Sequence, residues 1–165
     1  RDGDRLSCDV AVWTGGLSPS PLNHMIAAPK TAAGRLKVDG ALCIDGLEGW
    51  LAAGDVAAAP VEGGNTTTMS CQHALSSGAF AGHNAARLLL GEAPLPYTPR
   101  PYVTCLDLGP AGALLTRGFE RELTMQGAEA KALKMSINRQ LIVPPVAGGR
   151  DALLAAAAPE RWMTR

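Results

Sequence analysis

Between residues 93 and 101 the chain reads Ala-Pro-Leu-Pro-Tyr-Thr-Pro-Arg-Pro, four prolines in nine residues. Each proline lacks a backbone N–H and restrains the residue before it, so neither a helix nor a central strand can run through this stretch. No single element can therefore bridge the two ends of the chain. The division predicted is residues 1–93, a connector over 94–101, and a smaller unit over 102–165.

With 165 residues, 47% hydrophobic and only 4% aromatic, the core must be packed by small and aliphatic side chains. Fifteen basic and fifteen acidic residues cancel and are scattered, which argues against a nucleic-acid surface. The longest apolar run, Ala152 to Ala158, is far short of the roughly 18 residues a membrane span needs. Cys8, Cys43, Cys71 and Cys105 form no CxxC pair, so reduced thiols in a cytoplasmic protein are expected, with no metal site. The chain opens on Arg1 rather than Met and runs straight into a strand-like segment, which reads as a fragment.

In the larger unit, Cys8–Trp13 is apolar and β-branched and is bounded by Thr14-Gly15-Gly16, the pattern of a buried strand with Trp13 in the core. Asp2-Gly3-Asp4 suggests a hairpin turn before it, with Arg5–Ser7 in the same strand or its partner. Arg35–Asp39 alternates polar and apolar, as a half-exposed strand does. Gly49–Asp55 is a second short apolar run, cut off by Gly54-Asp55. After a polar loop over 62–68, a helix is predicted from about Ser70 to Leu90, with Ala74, Ala81, Ala85 and Leu88 on one face and Gly91 as its stop. Past the connector, Tyr102–Leu108 and Ala113–Thr116 read as two strands around a Gly-Pro-Ala-Gly turn. Ala130, Leu133, Ile137 and Leu141 then fall at helical spacing, a stripe suited to packing on those strands or to a dimer surface. Asp151 is placed to cap a last helix ending near Pro159.

Three short patterns carry chemistry. A strand ending in Gly54-Asp55 lets a ligand approach the backbone beside a carboxylate, which can accept hydrogen bonds from sugar-like hydroxyls. The bland alternative is an ordinary Gly-Asp turn. A helix opening at Ser70-Cys71-Gln72-His73 offers unpaired N–H groups and partial positive charge to an electron-rich ligand edge; the bland alternative is a Ser70 cap with nothing bound. Gly15-Gly16 permits close backbone approach, and alone is only a turn.

In combination and order these patterns resemble the pyridine nucleotide-disulfide oxidoreductase superfamily, most closely its type II NADH dehydrogenase branch. Asp9–Gly16 is similar to the strand that ends in an aromatic-Ala-Ala-Gly type turn, and Gly34–Asp39 to Gly-x-(Ile/Leu)-x-Val-Asp. Leu51–Val56 resembles the second FAD motif, and Cys71–Ala74 with Gly78 the Ala-Gln-x-Ala-x-x-x-Gly helix start. The resemblance implies an α/β fold: the returning half of a two-dinucleotide-binding-domain FAD fold, then a small α+β C-terminal domain. It implies FAD as cofactor, NADH or NADPH as substrate, and a quinone or similar small molecule as electron acceptor. Asp55 would bind the ribityl chain and Gly54 would let it lie against the backbone. Amides near Gln72 and His73 would face the flavin pyrimidine, with Gln72 shaping the approach of nicotinamide or quinone, while Gly15 and Gly16 would line the cleft. The family often has Pro where Met69 stands and Ala-Gly at Gly15-Gly16. No GxGxxG follows a strand, so the pyrophosphate loops of such enzymes are outside this sequence.

No residue is assigned a catalytic role. Cys71 is expected as a small buried side chain rather than a redox thiol, for want of a second Cys nearby. His73 is expected as a satisfied or exposed helix histidine rather than a proton donor. His24 and His83 have no discernible partners, and Trp162 is expected as a mobile or docking tail residue. The last third matches the family's membrane-binding C-termini poorly, so peripheral attachment at the inner membrane face is not carried over. Homodimerisation stays open. Two alternatives remain: a sulfide:quinone reductase-like flavoprotein, which needs cysteines bracketing the flavin, and a non-catalytic dimerisation or partner-binding module.

Overall fold

The computed structural model describes Gly3, Arg5 and residues 7–163. Its architecture is mixed helix and sheet. Strand β1, Leu36–Lys37, pairs in parallel with β2, Ala57–Ala58, in the register Leu36↔Ala57 and Lys37↔Ala58. Helix α1, Cys71–Leu89, lies against the turn that precedes β2. A second sheet contains β3, Val103–Asp107, β4, Ala113–Arg117, and β5, Glu122–Gln126, all antiparallel in the order β3-β4-β5. Helix α2, Gly127–Ser136, packs on that sheet and continues as a π-helical turn through Leu141. Helix α3, Gly149–Ala156, is followed by a 3-10 turn over Pro159–Arg161.

The main core gathers Leu36, Val38, Leu42, Ile44 and Ala52 beneath Phe80, which meets Tyr97 edge-on at 5.3 Å. Tyr97 belongs to the proline-rich connector, and it is seated rather than loose. Its hydroxyl lies 2.7 Å from Ser76 Oγ and its N–H donates to Gly40 O at 2.7 Å. Asn84, fully buried on α1, holds Leu95 by both N–H and C=O and reaches Ala41 O at 2.9 Å. Side-chain amides thus supply the partners that the prolines cannot offer one another.

Several expectations are corrected. Cys8–Trp13 is not a strand: among the described residues it has no ladder partner, and Val12 and Trp13 are 79% and 92% exposed. Apolar, β-branched composition states a preference for burial, but a strand forms only where a second strand completes its hydrogen bonds. Asp2 and Asp4 of the expected turn fall outside the described residues. In the Gly-Asp segment the strand follows the turn instead of preceding it. Leu51 makes a single bridge to Cys43, Gly54–Val56 forms a 3-10 turn, and β2 begins at Ala57.

Helix α1 has the predicted extent, with Ser70 as its cap and Gly91 (φ 74°) at its stop. The residues it buries are His73, Ser76, Ser77, Phe80 and Asn84, whereas Ala74, Ala81, Ala85 and Leu88 are half-buried. Strand β5 had no signal in the sequence. Of the predicted α2 stripe, only Ala130 is fully buried, while Leu133 and Leu141 are exposed. Asp151 stands inside the first turn of α3, where Gly148 occupies the cap position. Trp162 docks, packing at the edge of the core with Nε1 3.3 Å from Ala156 O.

Candidate functional site

The site is built around Gly54. Its φ of 74° is open to glycine at little cost, and a Cβ there would sit 3.7 Å from the Ala74 side chain. The Gly54 N–H donates to Ser77 Oγ at 2.9 Å, so the turn is fastened directly to α1. This seats the exposed Asp55 side chain beside a turn rigidly attached to the helix.

Beneath the turn lies Arg35, a buried cation that sequence reasoning missed. Its Nε donates to Asp55 O at 3.1 Å, and its two terminal nitrogens take Thr67 O, Ala57 O and Thr67 Oγ1. One guanidinium thereby joins β1, the Gly54–Val56 turn, β2 and the loop before α1. Burial pushes its pKa down, and the nearby Asp55 charge opposes that shift. Asn23 adds a parallel clasp, donating to Gly34 O and Val56 O at 3.0 Å each. The only signal available was a lone Arg between Gly34 and Leu36 in an alternating segment, which is the pattern of a solvated strand face.

At the start of α1, Ser70 Oγ accepts from His73 N–H at 3.4 Å. The N–H groups of Cys71 and Gln72 have no acceptor among the described residues, as the first turn of a helix dictates. Cys71 itself is exposed, not buried as expected. The Gln72 side chain is engaged with the chain's own backbone: Nε2 donates to Pro101 O at 3.0 Å and Oε1 accepts from Val103 N–H at 3.2 Å. His73 is the satisfied histidine anticipated. It is buried, its Nδ1 accepts from Thr68 N–H at 3.0 Å, and its ring stacks on Tyr102 at 5.3 Å. Burial lowers its pKa, which favours the neutral ring.

Gly54, Asp55, Gln72 and His73 are therefore gathered at one end of α1. Gly15 and Gly16 are not joined to them by any hydrogen bond among the described residues, and both are exposed. A cavity of about 420 Å³ opens beside this end of the helix. Its walls come from α1 through Leu75, from the start of β3 through Val103, and from the α2 extension and C-terminal residues through Ile137, Ile142 and Trp162. No helix among the described residues is long and apolar enough to cross a membrane.

No protein-family model matches the chain. It is 44% identical over 157 residues to an NADH dehydrogenase-like protein of Mycobacterium tuberculosis, found under that description in two strains. That match covers 95% of this chain and 39% of the relative's length. Over 113 residues it is 29% identical to a demethylphylloquinone reductase of Synechocystis, covering 68% of this chain and 28% of that protein. The chain is thus similar to a protein named NADH dehydrogenase-like and spans about two fifths of that relative's length.

Proposed function

We propose that this chain supplies the returning half of an FAD-binding domain and the C-terminal domain of an NAD(P)H dehydrogenase that passes electrons to a quinone or similar acceptor. The observation that carries this reading is the fastening of the Gly54–Asp55 turn to α1 by Gly54 N–H and Ser77 Oγ at 2.9 Å. It brings an exposed carboxylate and the open N–H groups of Cys71 and Gln72 to the same end of one helix, a donor and acceptor set that suits a flavin nucleotide. The relatives named for NADH dehydrogenase and quinone reductase activity support the same assignment.

In this reading Asp55 accepts hydrogen bonds from the ribityl hydroxyls, and Gly54 lets the cofactor lie against the backbone. The Cys71 and Gln72 N–H groups and the partial positive charge of α1 face the pyrimidine edge, where they favour an electron-rich ring. Gly15 and Gly16 line the far side of the cleft. His73, neutral and held by Thr68, fixes the helix start rather than delivering a proton. FAD would supply the two-electron chemistry, held by Asp55, the Gly54 backbone and the Cys71 and Gln72 N–H groups. The cavity beside Leu75 and Val103 receives the acceptor.

The test is an absorbance spectrum of the full-length protein followed by anaerobic NADH addition. Flavin bands that bleach support the reading; a colourless protein that cannot be reconstituted with FAD removes it. Asp55→Ala is expected to weaken FAD binding by about tenfold or more, the loss of charge-assisted hydrogen bonds. Cys71→Ala should leave flavin content unchanged. Normal flavin content in the Asp55 variant would refute the role given to that carboxylate.

A further inference from the structure

The charge lining the cavity beside α1 is one-sided. Three cationic residues line it from three separate segments: Arg100 in the connector, Lys134 on α2 and Arg161 near the C-terminus. Among its lining residues there is no Asp or Glu. The salt bridges among the described residues are Arg87–Glu92 and Lys131–Asp107, so none of these three cations has a carboxylate partner there. The carboxylate of Glu62 accepts from Tyr102 N–H at 3.4 Å and is not part of the lining.

Two of the cations are anchored. Arg100 donates to Arg161 O at 2.8 Å and to Met163 O at 3.4 Å, and the Arg161 guanidinium lies 5.5 Å from the Trp162 ring centre. Lys134 stands three residues before Ile137 on the same helical stretch, and both line the cavity. The rest of the wall is largely aliphatic and aromatic. Such a wall favours an apolar body by burial, and the three cations at it add attraction for an anionic substituent.

We propose that this cavity binds a small aromatic or quinoid molecule bearing an anionic group, such as a carboxylate. An uncharged ligand of the same shape would leave three cations without a counter-ion, and a cationic ligand would be repelled. A volume of about 420 Å³ suits a two-ring aromatic acid. As an identification of the electron acceptor's chemical class this rests on the dehydrogenase reading above; as a binding site it stands on the lining alone.

The experiment compares 2-naphthoate with 2-naphthamide, which share shape and differ in charge, by equilibrium titration of the full-length protein. Naphthoate should bind about tenfold more tightly at low salt, with the ratio shrinking as salt screens the exposed cations. The pair Lys134→Gln and Arg161→Gln, which keeps Arg100, should shrink the ratio at least about threefold. A thermal unfolding midpoint matching that of the unaltered protein shows that the variant is folded. Equal binding in the unaltered protein, a ratio unchanged by the double substitution, or no binding of either compound would each overturn the proposal. Bleaching of flavin by NADH is recorded on the same sample. Bleaching with equal affinities keeps the dehydrogenase reading and removes the anionic ligand. A naphthoate preference without bleaching does the reverse.

Discussion

Around α1, paired strands are two residues long, and the backbone is satisfied mainly by side chains arriving from elsewhere in sequence. Arg35 spans to Thr67, Asn23 to Val56 and Asn84 to Leu95. Between residues 103 and 126 the opposite holds: three strands of five residues each satisfy one another through short antiparallel connections. The first region is assembled from distant segments by polar clasps, and the second by local ladders. A clasp places a particular turn at a particular point on a helix, as Arg35 and Ser77 do for Gly54. A ladder fixes a surface without singling out any point on it, which fits the second region's place as a wall of the cavity.

The largest expected effect comes from Arg35→Met. It removes the guanidinium that serves the carbonyls of Asp55, Ala57 and Thr67, leaving Thr67 O without that donor in a buried setting and Ala57 O with Thr67 Oγ1 alone, and a loss of about 3 kcal/mol in unfolding free energy is expected in urea titration. A loss under about 0.5 kcal/mol, the range of an ordinary surface substitution, would break the distinction between clasp and ladder.

Gly112→Ala probes the second region. Gly112 has φ 97°, and a Cβ there would lie 2.6 Å from the Gly127 carbonyl, where α2 crosses the start of β4. About 2 kcal/mol of destabilisation is expected, with the Gly54–Ser77 region unperturbed in amide exchange. Equal loss of protection in both regions would show that they unfold as one unit.

The smallest effect is a pH dependence. Burial places the folded-state pKa of His73 below its ordinary 6.5, so the unfolded chain takes up that proton first as pH falls. The stability contributed by neutral His73 is complete above that ordinary value and declines below it, as protonation withdraws Nδ1 from Thr68 N–H. A thermal midpoint that falls below about pH 6.5, with His73→Gln flattening the fall, is the expected outcome. An identical slope in the variant would assign it to other groups.

Much of the local order was legible. Ser70 and Gly91 bracket α1, and the Gly-Pro-Ala-Gly sequence bends β3 into β4 as read, because caps and turns depend on residues close in sequence. Strand β5 was not legible: Glu122–Gln126 carries few strand formers, and its pairing to β4 with a shift near Leu115 supplies what propensity does not. Trp13 failed for the converse reason, having the composition of a core residue and no partner among the described residues. Of the candidate site, the Gly54-Asp55 and Gln72-His73 pairs were proposed from motif order, and the structure places them at one end of α1. Arg35 and the cationic lining were not, since no periodicity marks a charge that is buried only by distant segments.

The sequence by itself determined the proline break, the extent and caps of α1, and the segments from which a ligand site could be drawn. The tertiary structure alone decided that Gly54 is bonded to Ser77, that the Gln72 amide is engaged by Pro101 and Val103, and that Arg100, Lys134 and Arg161 line one cavity. Local features follow from backbone geometry within a few residues, whereas these pairings join positions 23 to 61 residues apart and exist only once the chain has packed.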